Sequence, residues 1–382
     1  MPRSLFSAEH EMFRDTVRRF IAAEISPHYA EWEKAGMVPR DVWLKAGAVG
    51  ILCPMVPEEY GGGSSDFLYS AVVTEEMARV GAVAPTFYLQ SDIVAPYLVH
   101  FGSEEQKQHW LPGMVSGEVV AAVCMSEPSG GSDLQNLRTS AVRDGDDYVV
   151  NGQKTWITNG HTADLLVLAC RTEEVPGAKG VSLLLVETDR PGFTRGRSLD
   201  KIGCKAQDTA ELFFSDVRVP TTNLLGGAGR GFYHLMEELA QERLVQAVRA
   251  VSSCEAALAW TVTYVREREM FGQTLADFQN TQFTLAQLHA DVLAQRVLVD
   301  RCLELHVAGG LDSLDAAMAK MTTTQLQGRV MDECVQLFGG YGYVTEYPIA
   351  RAFVDARMTR IGGGSIEVMK HIVGKSLFPR KS

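Results

Sequence analysis

A helical domain, a β domain and a second helical domain, in that order, make up the α+β multidomain fold that the sequence predicts. Three observations carry it. Apolar residues recur at helical spacing through the first 118 residues; short β-rich runs with polar breaks replace them from about 119; long helical segments return after "LLGGAGRG" and persist to the end. The boundaries fall at 1–118, 119–226 and 227–382.

In the N-terminal domain Ser7 is the expected N-cap of a first helix, with Glu9 and Glu11 in its first turn and Phe13, Val17, Phe20 and Ile21 along one face. Further helices are expected at about 39–49, 66–80, 85–101 and 103–116, parted by "PEEYGGGSSD" and "RVGAVAP". Within the β domain lies "DDYVVNGQKTWITNG". There Asn151-Gly152 sits between two β-rich runs and reads as a hairpin turn, because a type I′ turn needs positive φ at both central positions. "ADLLVLAC", "GVSLLLVE" and "AELFFSDVRVP" follow as strands. In the C-terminal domain helices are expected near 231–268, 278–308, 313–338 and 346–357, then from about 365. The second carries Phe283, Leu285, Leu288, Val292 and Leu293, too apolar for a lone surface helix, so a four-helix bundle is expected.

The composition excludes several classes of function. A net charge of −11 over 382 residues disfavours a broad nucleic-acid or anionic-membrane surface, while a local basic pocket could still hold an anionic small molecule. Seven cysteines are scattered singly, with no C-x-x-C pair, which argues against a disulfide framework and for a reducing compartment. The opening "MPRSLFSAEHEMFRDTVRRF" lacks the apolar core of a secretory signal, and no run of about 18 apolar residues occurs. The chain is therefore read as soluble and cytoplasmic, with no nucleic-acid or membrane partner.

Motifs narrow the chemistry further. None of the nine histidines falls in H-E-x-x-H or another close ligand pair, so no metal site is expected. The Gly-rich stretches match neither a P-loop nor the G-x-G-x-x-G turn, and G-x-S-x-G is absent. Four segments nevertheless suit a polar ligand. "CMSEPSGGSD" (124–133) offers hydroxyls and free amides in a Gly-rich turn, and "TWITNG" (155–160) sets a large aromatic beside a threonine. "REREMFGQ" (266–273) offers arginine and an aromatic where a long helix ends, and two glycines in "QLFGGYGY" (336–343) permit close approach of a backbone or phosphate.

Together with "ERLVQAVRAVSSCEAALAWTVTYVREREMFGQ" and "EYPIARAFVDAR", these segments closely resemble the acyl-CoA dehydrogenase family, in order and at family spacing over nearly the whole chain. The resemblance implies a helical, β and four-helix-bundle arrangement with FAD between the last two domains, and a homotetramer. The family's flavin contacts fall on Met125, Ser126, Ser132, Trp156 and Thr158, at the isoalloxazine, and across a subunit interface on Arg268, Phe271, Gln279, Gln336, Gly339 and Gly340. Arg268 would pair with the pyrophosphate. Ser365 and Glu367 match positions that also touch FAD, and Ser132, Tyr233, Arg243, Gly363 and Gly364 match substrate-side positions.

The implied reaction removes a proton from the α carbon of an acyl-CoA thioester and a hydride from the β carbon, the hydride passing to flavin N5 and its electrons onward to an electron-transfer flavoprotein. It needs a carboxylate base. Many relatives carry that glutamate at the position of Gly363, in a segment that here reads "IGGGS" (361–365). The long-chain and isovaleryl branches place it instead on the first helix of the C-terminal domain, immediately before an arginine, which matches Glu242 and Arg243 in "EELAQERLVQAV". By spacing alone Glu237, Glu238 and Glu242 read as a solvated helical face; with the resemblance and the vacated position at 363, Glu242 is the expected base. A side chain at 363 would fill space that Glu242 needs, and the 363 amide would bind the thioester carbonyl as enolate charge develops.

"SLDKIGCKAQDTAELFFSDVRVP" (198–220) and "EVMKHIV" resemble the long-chain branch more than the isovaleryl one. Medium-to-long or methyl-branched acyl chains are expected. Ser91 and Ala95 would permit a deep pocket, and Gly362, where many relatives have tyrosine, would widen it. The alternatives are an oxygen-using acyl-CoA oxidase or flavin monooxygenase of the same fold, and a non-catalytic acyl-CoA-binding relative.

Overall fold

The computed structural model describes residues 3–378. Helix α1 (Ala8–Phe20) starts where expected: the Ser7 hydroxyl accepts from His10 N, and the His10 ring accepts from Ser7 N, closing a capping box. A π-helical turn at Ile21–Ile25 follows, then α2 (Tyr29–Ala35), α3 (Asp41–Ala48) and α4 (Phe67–Arg79). The helix expected at 85–101 begins in a π-helical segment, Leu89–Val94, that runs straight into α5 (Ala95–Phe101); α6 (Glu104–Ser116) ends the helical part.

Eight strands form one sheet: β1 (Ala121–Cys124), β2 (Ser140–Asp144), β3 (Asp147–Thr158), β4 (Leu165–Arg171), β5 (Val181–Glu187), β6 (Phe193–Ser198), β7 (Thr209–Pro220) and β8 (Leu224–Leu225). Their order is β6-β7-β3-β2-β4-β5-β8, with β1 parallel to β4. Asn151-Gly152 is not the hairpin turn. Strand β3 runs through both residues, and the β2–β3 turn is Gly145-Asp146, closed by the Asp144–Asp147 pair with Gly145 at φ 65°. Gly152 (φ 144°) instead serves a bulge between β3 and β7, where a Cβ would come within 2.7 Å of Thr139 Cα. Asn151 exchanges hydrogen bonds with the Asp216 carboxylate and backbone N–H at 2.9 and 3.0 Å, anchoring the bulge.

Alternation along β4 explains how the sheet joins the first domain. Leu165, Val167 and Ala169 enter the core built by the N-terminal helices, while Leu166, Leu168 and Cys170 enter the core on the opposite face. A strand buried on both faces reads as a continuous apolar run, which is why "ADLLVLAC" shows no polar beat.

The C-terminal helices are α7 (Gly231–Glu267), α8 (Gln279–Val307), α9 (Ser313–Phe338), α10 (Pro348–Thr359) and α11 (Ile366–Leu377); a short hairpin of β9 (Glu269–Met270) and β10 (Gln273–Thr274) joins the first two. Helices α7, α8 and α9 pack on one another, and α10 closes the group against α7 and α9. Helix α4 also joins this core through Phe67, Leu68 and Ala71. A charge cluster around buried Arg296 and Glu75 reinforces that junction: Arg296 of α8 donates to Glu75 of α4 at 3.1 Å and to the exposed Glu255 of α7 at 2.6 Å, and Glu75 also accepts from Arg14. Among the described residues no helix is long and apolar enough to cross a membrane.

Candidate active site

Helix α7 carries the proposed base past the N-terminal domain. Glu242 is only 5% exposed, and its Oε1 accepts a hydrogen bond from Tyr97 Oη of α5 at 2.9 Å. Burial pushes its carboxyl up to about 7; the nearby Glu238 charge adds to this, and the Tyr97 hydroxyl and Arg243 oppose it. Glu238, one turn earlier, is also buried and bonded to His100 Nδ1 at 2.6 Å. Of the three glutamates that could have formed a solvated face, only Glu237 is exposed. Arg243 Nη1 donates to the Ser313 hydroxyl at 2.6 Å, tying α7 to the start of α9.

The glycine run links α10 to α11. Gly363 and Gly364 have φ of 64° and 89°, and Ser365 caps α11 by accepting from Val368 N. A Cβ at Gly363 would stand 3.3 Å from Gln246 Cγ. Gln246 lies one turn beyond Glu242 on α7, so the missing side chain faces the stretch of helix that carries the carboxyl. Lys320, wholly buried, donates to the Gly364 carbonyl at 2.5 Å, and burial helped by the Arg243 charge lowers its ammonium to about 8.

One expectation about pocket width needs correction. A Cβ at Gly362 would meet Met358 Sδ at 2.8 Å, so a flexible methionine already occupies the room that glycine provides. Ser91 also serves the fold, its hydroxyl accepting the Cys53 N–H at 2.9 Å.

The first group of expected flavin residues gathers at the ends of β1 and β3. Thr155 N donates to Ser126 O at 3.0 Å, which joins the "MSEP" and "TWIT" segments. Trp156 is 61% exposed at φ 58°, where β3 bulges against β7 between Lys154 and Ile157. Thr158 Oγ1 accepts from Gln207 Nε2 at 2.9 Å, and Ser132 is exposed on the Gly130–Gly131 turn, where a Cβ would meet at most Ser126 Oγ at 3.7 Å. An uncovered aromatic face, hydroxyls and an open turn on a rigid sheet suit a flat, hydrogen-bonding ring such as isoalloxazine.

Sequence reasoning missed the pair that organises this turn. Lys154 Nζ, wholly buried, donates to Glu127 Oε1 at 2.9 Å and to the Met125 carbonyl at 3.0 Å. Glu127 also accepts the N–H groups of Arg138 and Thr139 at 2.7 and 2.9 Å. Burial alone would raise this carboxyl, but the Lys154 charge prevails and holds it at about 2. The available signal was a lysine in "GQKTWIT" that the strand's alternation turns inward.

The second group gathers at the far end of the bundle. Arg268 caps α7 with its guanidinium 5.6 Å from the Tyr341 ring, and pairs with no carboxylate among the described residues. Phe271 is 90% exposed on the β9–β10 turn, Gln279 starts α8, and Gln336, Gly339 and Gly340 are exposed at the end of α9. Tyr264 binds the two ends together, donating to Phe338 O at 3.2 Å and stacking on its ring. A free guanidinium beside glycines with no neighbour within 4 Å of a Cβ suits a pyrophosphate. Among the described residues no hydrogen bond or ion pair joins this group to the Trp156 group. Tyr233 is exposed at the start of α7 under the Arg230 guanidinium, and Glu367 is exposed in the first turn of α11.

Three family models cover most of the chain: the N-terminal domain of acyl-CoA dehydrogenase at 7–118, its middle domain at 122–217 and its C-terminal domain at 229–378. The chain is 48% identical over 377 residues to the mitochondrial long-chain specific acyl-CoA dehydrogenase of Sus scrofa, covering 98% of this chain and 88% of that protein. Identity to the mitochondrial isovaleryl-CoA dehydrogenase of Solanum tuberosum is 36% over 377 residues, covering 98% and 92%. The crystal structure of acyl-CoA dehydrogenase from Geobacillus kaustophilus matches with a TM-score of 0.97 at 49% identity, covering 99% of this chain and all of that one. With the same three domains and a residue set that fits the cofactor, the chain belongs to the acyl-CoA dehydrogenase family of FAD-dependent oxidoreductases.

Proposed function

We propose that the chain converts a medium-to-long or methyl-branched acyl-CoA thioester to its trans-2-enoyl-CoA, with Glu242 as the base that removes the α proton. One observation carries this reading. Glu242 is a buried carboxyl held at about 7 on the stretch of α7 that faces Gly363, where the family resemblance puts the glutamate of many members. A carboxyl balanced near neutral pH is ionised often enough to accept a proton and basic enough to keep it. The Gly363 N–H, with the run fixed by Lys320, donates to the thioester carbonyl as negative charge gathers there. Bound FAD supplies the acceptor for the hydride that leaves the β carbon.

On the substrate side Ser132, Tyr233, Arg243, Gly363 and Gly364 orient the thioester, and Arg243 also holds α7 to α9. Met125, Ser126, Ser132, Trp156 and Thr158 hold the ring end of the cofactor, with Ser365 and Glu367 nearby. Arg268, Phe271, Gln279, Gln336, Gly339 and Gly340 hold the other end for a partner copy, as the family resemblance implies; among the described residues no hydrogen bond or ion pair joins the two groups. A homotetramer accounts for apolar side chains left bare on α8, on the turn before it and on the turn after α9: Phe283, Phe271 and Tyr343. The long-chain preference rests on 48% identity to the long-chain relative against 36% to the isovaleryl one. An electron-transfer flavoprotein is the proposed acceptor. A cytoplasmic location rests on seven free, buried cysteines, although the named relatives are mitochondrial.

Anaerobic addition of acyl-CoAs of graded length and branching to the yellow holoenzyme tests the reading. Rapid bleaching of the flavin absorbance is expected, together with its loss in Glu242→Gln; undiminished bleaching in that variant would remove Glu242 from the role. Fast reoxidation by air would favour an oxidase.

A further inference from the structure

We propose that Tyr97 is a positioning residue for the reaction: it anchors Oε1 of Glu242 so that Oε2 is the oxygen offered to the α proton. This rests on Glu242 being the base. Tyr97 is completely buried, and its Oη has one hydrogen-bond partner among the described residues, Glu242 Oε1 at 2.9 Å. Oε2 has none among them. One oxygen is thus held and the other is free. A phenol can serve in both protonation states, because a carboxylic acid protonated on Oε2 still accepts through Oε1.

The fold fixes this contact from both sides. Helices α5 and α7 meet in two rungs, Tyr97 on Glu242 and His100 on Glu238, spaced three residues apart on α5 and four on α7. Such spacings keep both side chains of each helix on one face, so the outer rung locks the register of the inner one. A third tie, Gln241 Nε2 to the Asp92 carbonyl at 2.6 Å, holds α7 against the π-helical segment that leads into α5. An aliphatic side chain at 97 would pack as well but would leave the carboxyl free to rotate.

The charged and titratable groups around Glu242 are few: Tyr97 from α5, and Glu238 and Arg243 from its own helix. Of these, Tyr97 is the one hydrogen-bonded to it, and as a donor it favours the ionised form. Its removal therefore raises the carboxyl's pKa. A hydrogen bond to a charged group is worth roughly one pH unit of titration, about a tenfold change in the ionised fraction on the acid side.

The test is the pH profile of anaerobic flavin reduction by acyl-CoA in wild type, Glu242→Gln, Tyr97→Phe and a protein with 3-fluorotyrosine at 97. Wild type should show an acid limb, and Glu242→Gln no fast reduction. Tyr97→Phe should retain reduction with the limb about one unit higher, and so run about tenfold slower below it. The fluorinated phenol, a stronger donor of almost the same size, should move the limb lower. Opposite shifts support the proposal, and they cannot come from a purely structural defect. An unmoved limb in both variants, with Glu242→Gln inactive, overturns the role of Tyr97 alone; an active Glu242→Gln overturns the base assignment beneath it.

Discussion

Glu242→Gln separates what the carboxyl does in the reaction from what it costs the fold. Burial holds the Glu242 carboxyl at about 7 against an ordinary 4.5. Between those values the native chain binds a proton that the unfolded chain has released, so stability falls as pH rises and the loss is complete above pH ~7. At about 1.4 kcal/mol per pH unit, the span gives ~3 kcal/mol. Glutamine has no proton to lose, keeps an oxygen for the Tyr97 hydroxyl and is nearly isosteric. The assay is urea unfolding of both holoenzymes at pH 5 and pH 8. Relative to wild type, the variant should gain about 2 to 3 kcal/mol between the two, while losing flavin reduction by acyl-CoA. Parallel pH dependences would refute the account of a buried, half-neutralised carboxyl.

Lys154→Met leaves Glu127 buried without its counter-charge; we expect a loss of about 3 to 5 kcal/mol, read by urea unfolding, and a lower flavin content, read by absorbance. Glu127 itself is held at about 2, below its ordinary 4.5, so it stabilises the fold above pH ~4.5 and that contribution disappears as pH falls towards ~2. Acid titration of unfolding should show this in wild type and not in Lys154→Met. Gly152→Ala forces a Cβ against the Thr139 backbone at 2.7 Å and should destabilise the fold by more than ~1 kcal/mol, read as a lower melting temperature. Arg296→Leu should destabilise by roughly 3 kcal/mol, since Glu75 and Glu255 lose a buried partner that joins α4, α7 and α8; calorimetry would read the loss.

Local chemistry made much of this protein legible in one dimension. The Ser7 cap, the long periodic helices of the C-terminal domain and the apolar runs of the sheet follow from spacing and side-chain type, which act over a turn or a strand. Family motifs pointed to the flavin segments and to Glu242. The Asn151-Gly152 signal misled because the same dipeptide that favours a tight turn also tolerates a bulge, and cross-strand pairing with β2 and β7 chose the bulge. Tertiary structure alone decided the state of the glutamates. Glu237, Glu238 and Glu242 are alike in sequence, and only the arrival of α5 buries two of them, gives one a histidine and the other a tyrosine, and lifts the second towards neutrality. Lys154 became the counter-ion of Glu127 for the same reason: desolvation and pairing depend on what lies opposite in space, 27 residues away along the chain.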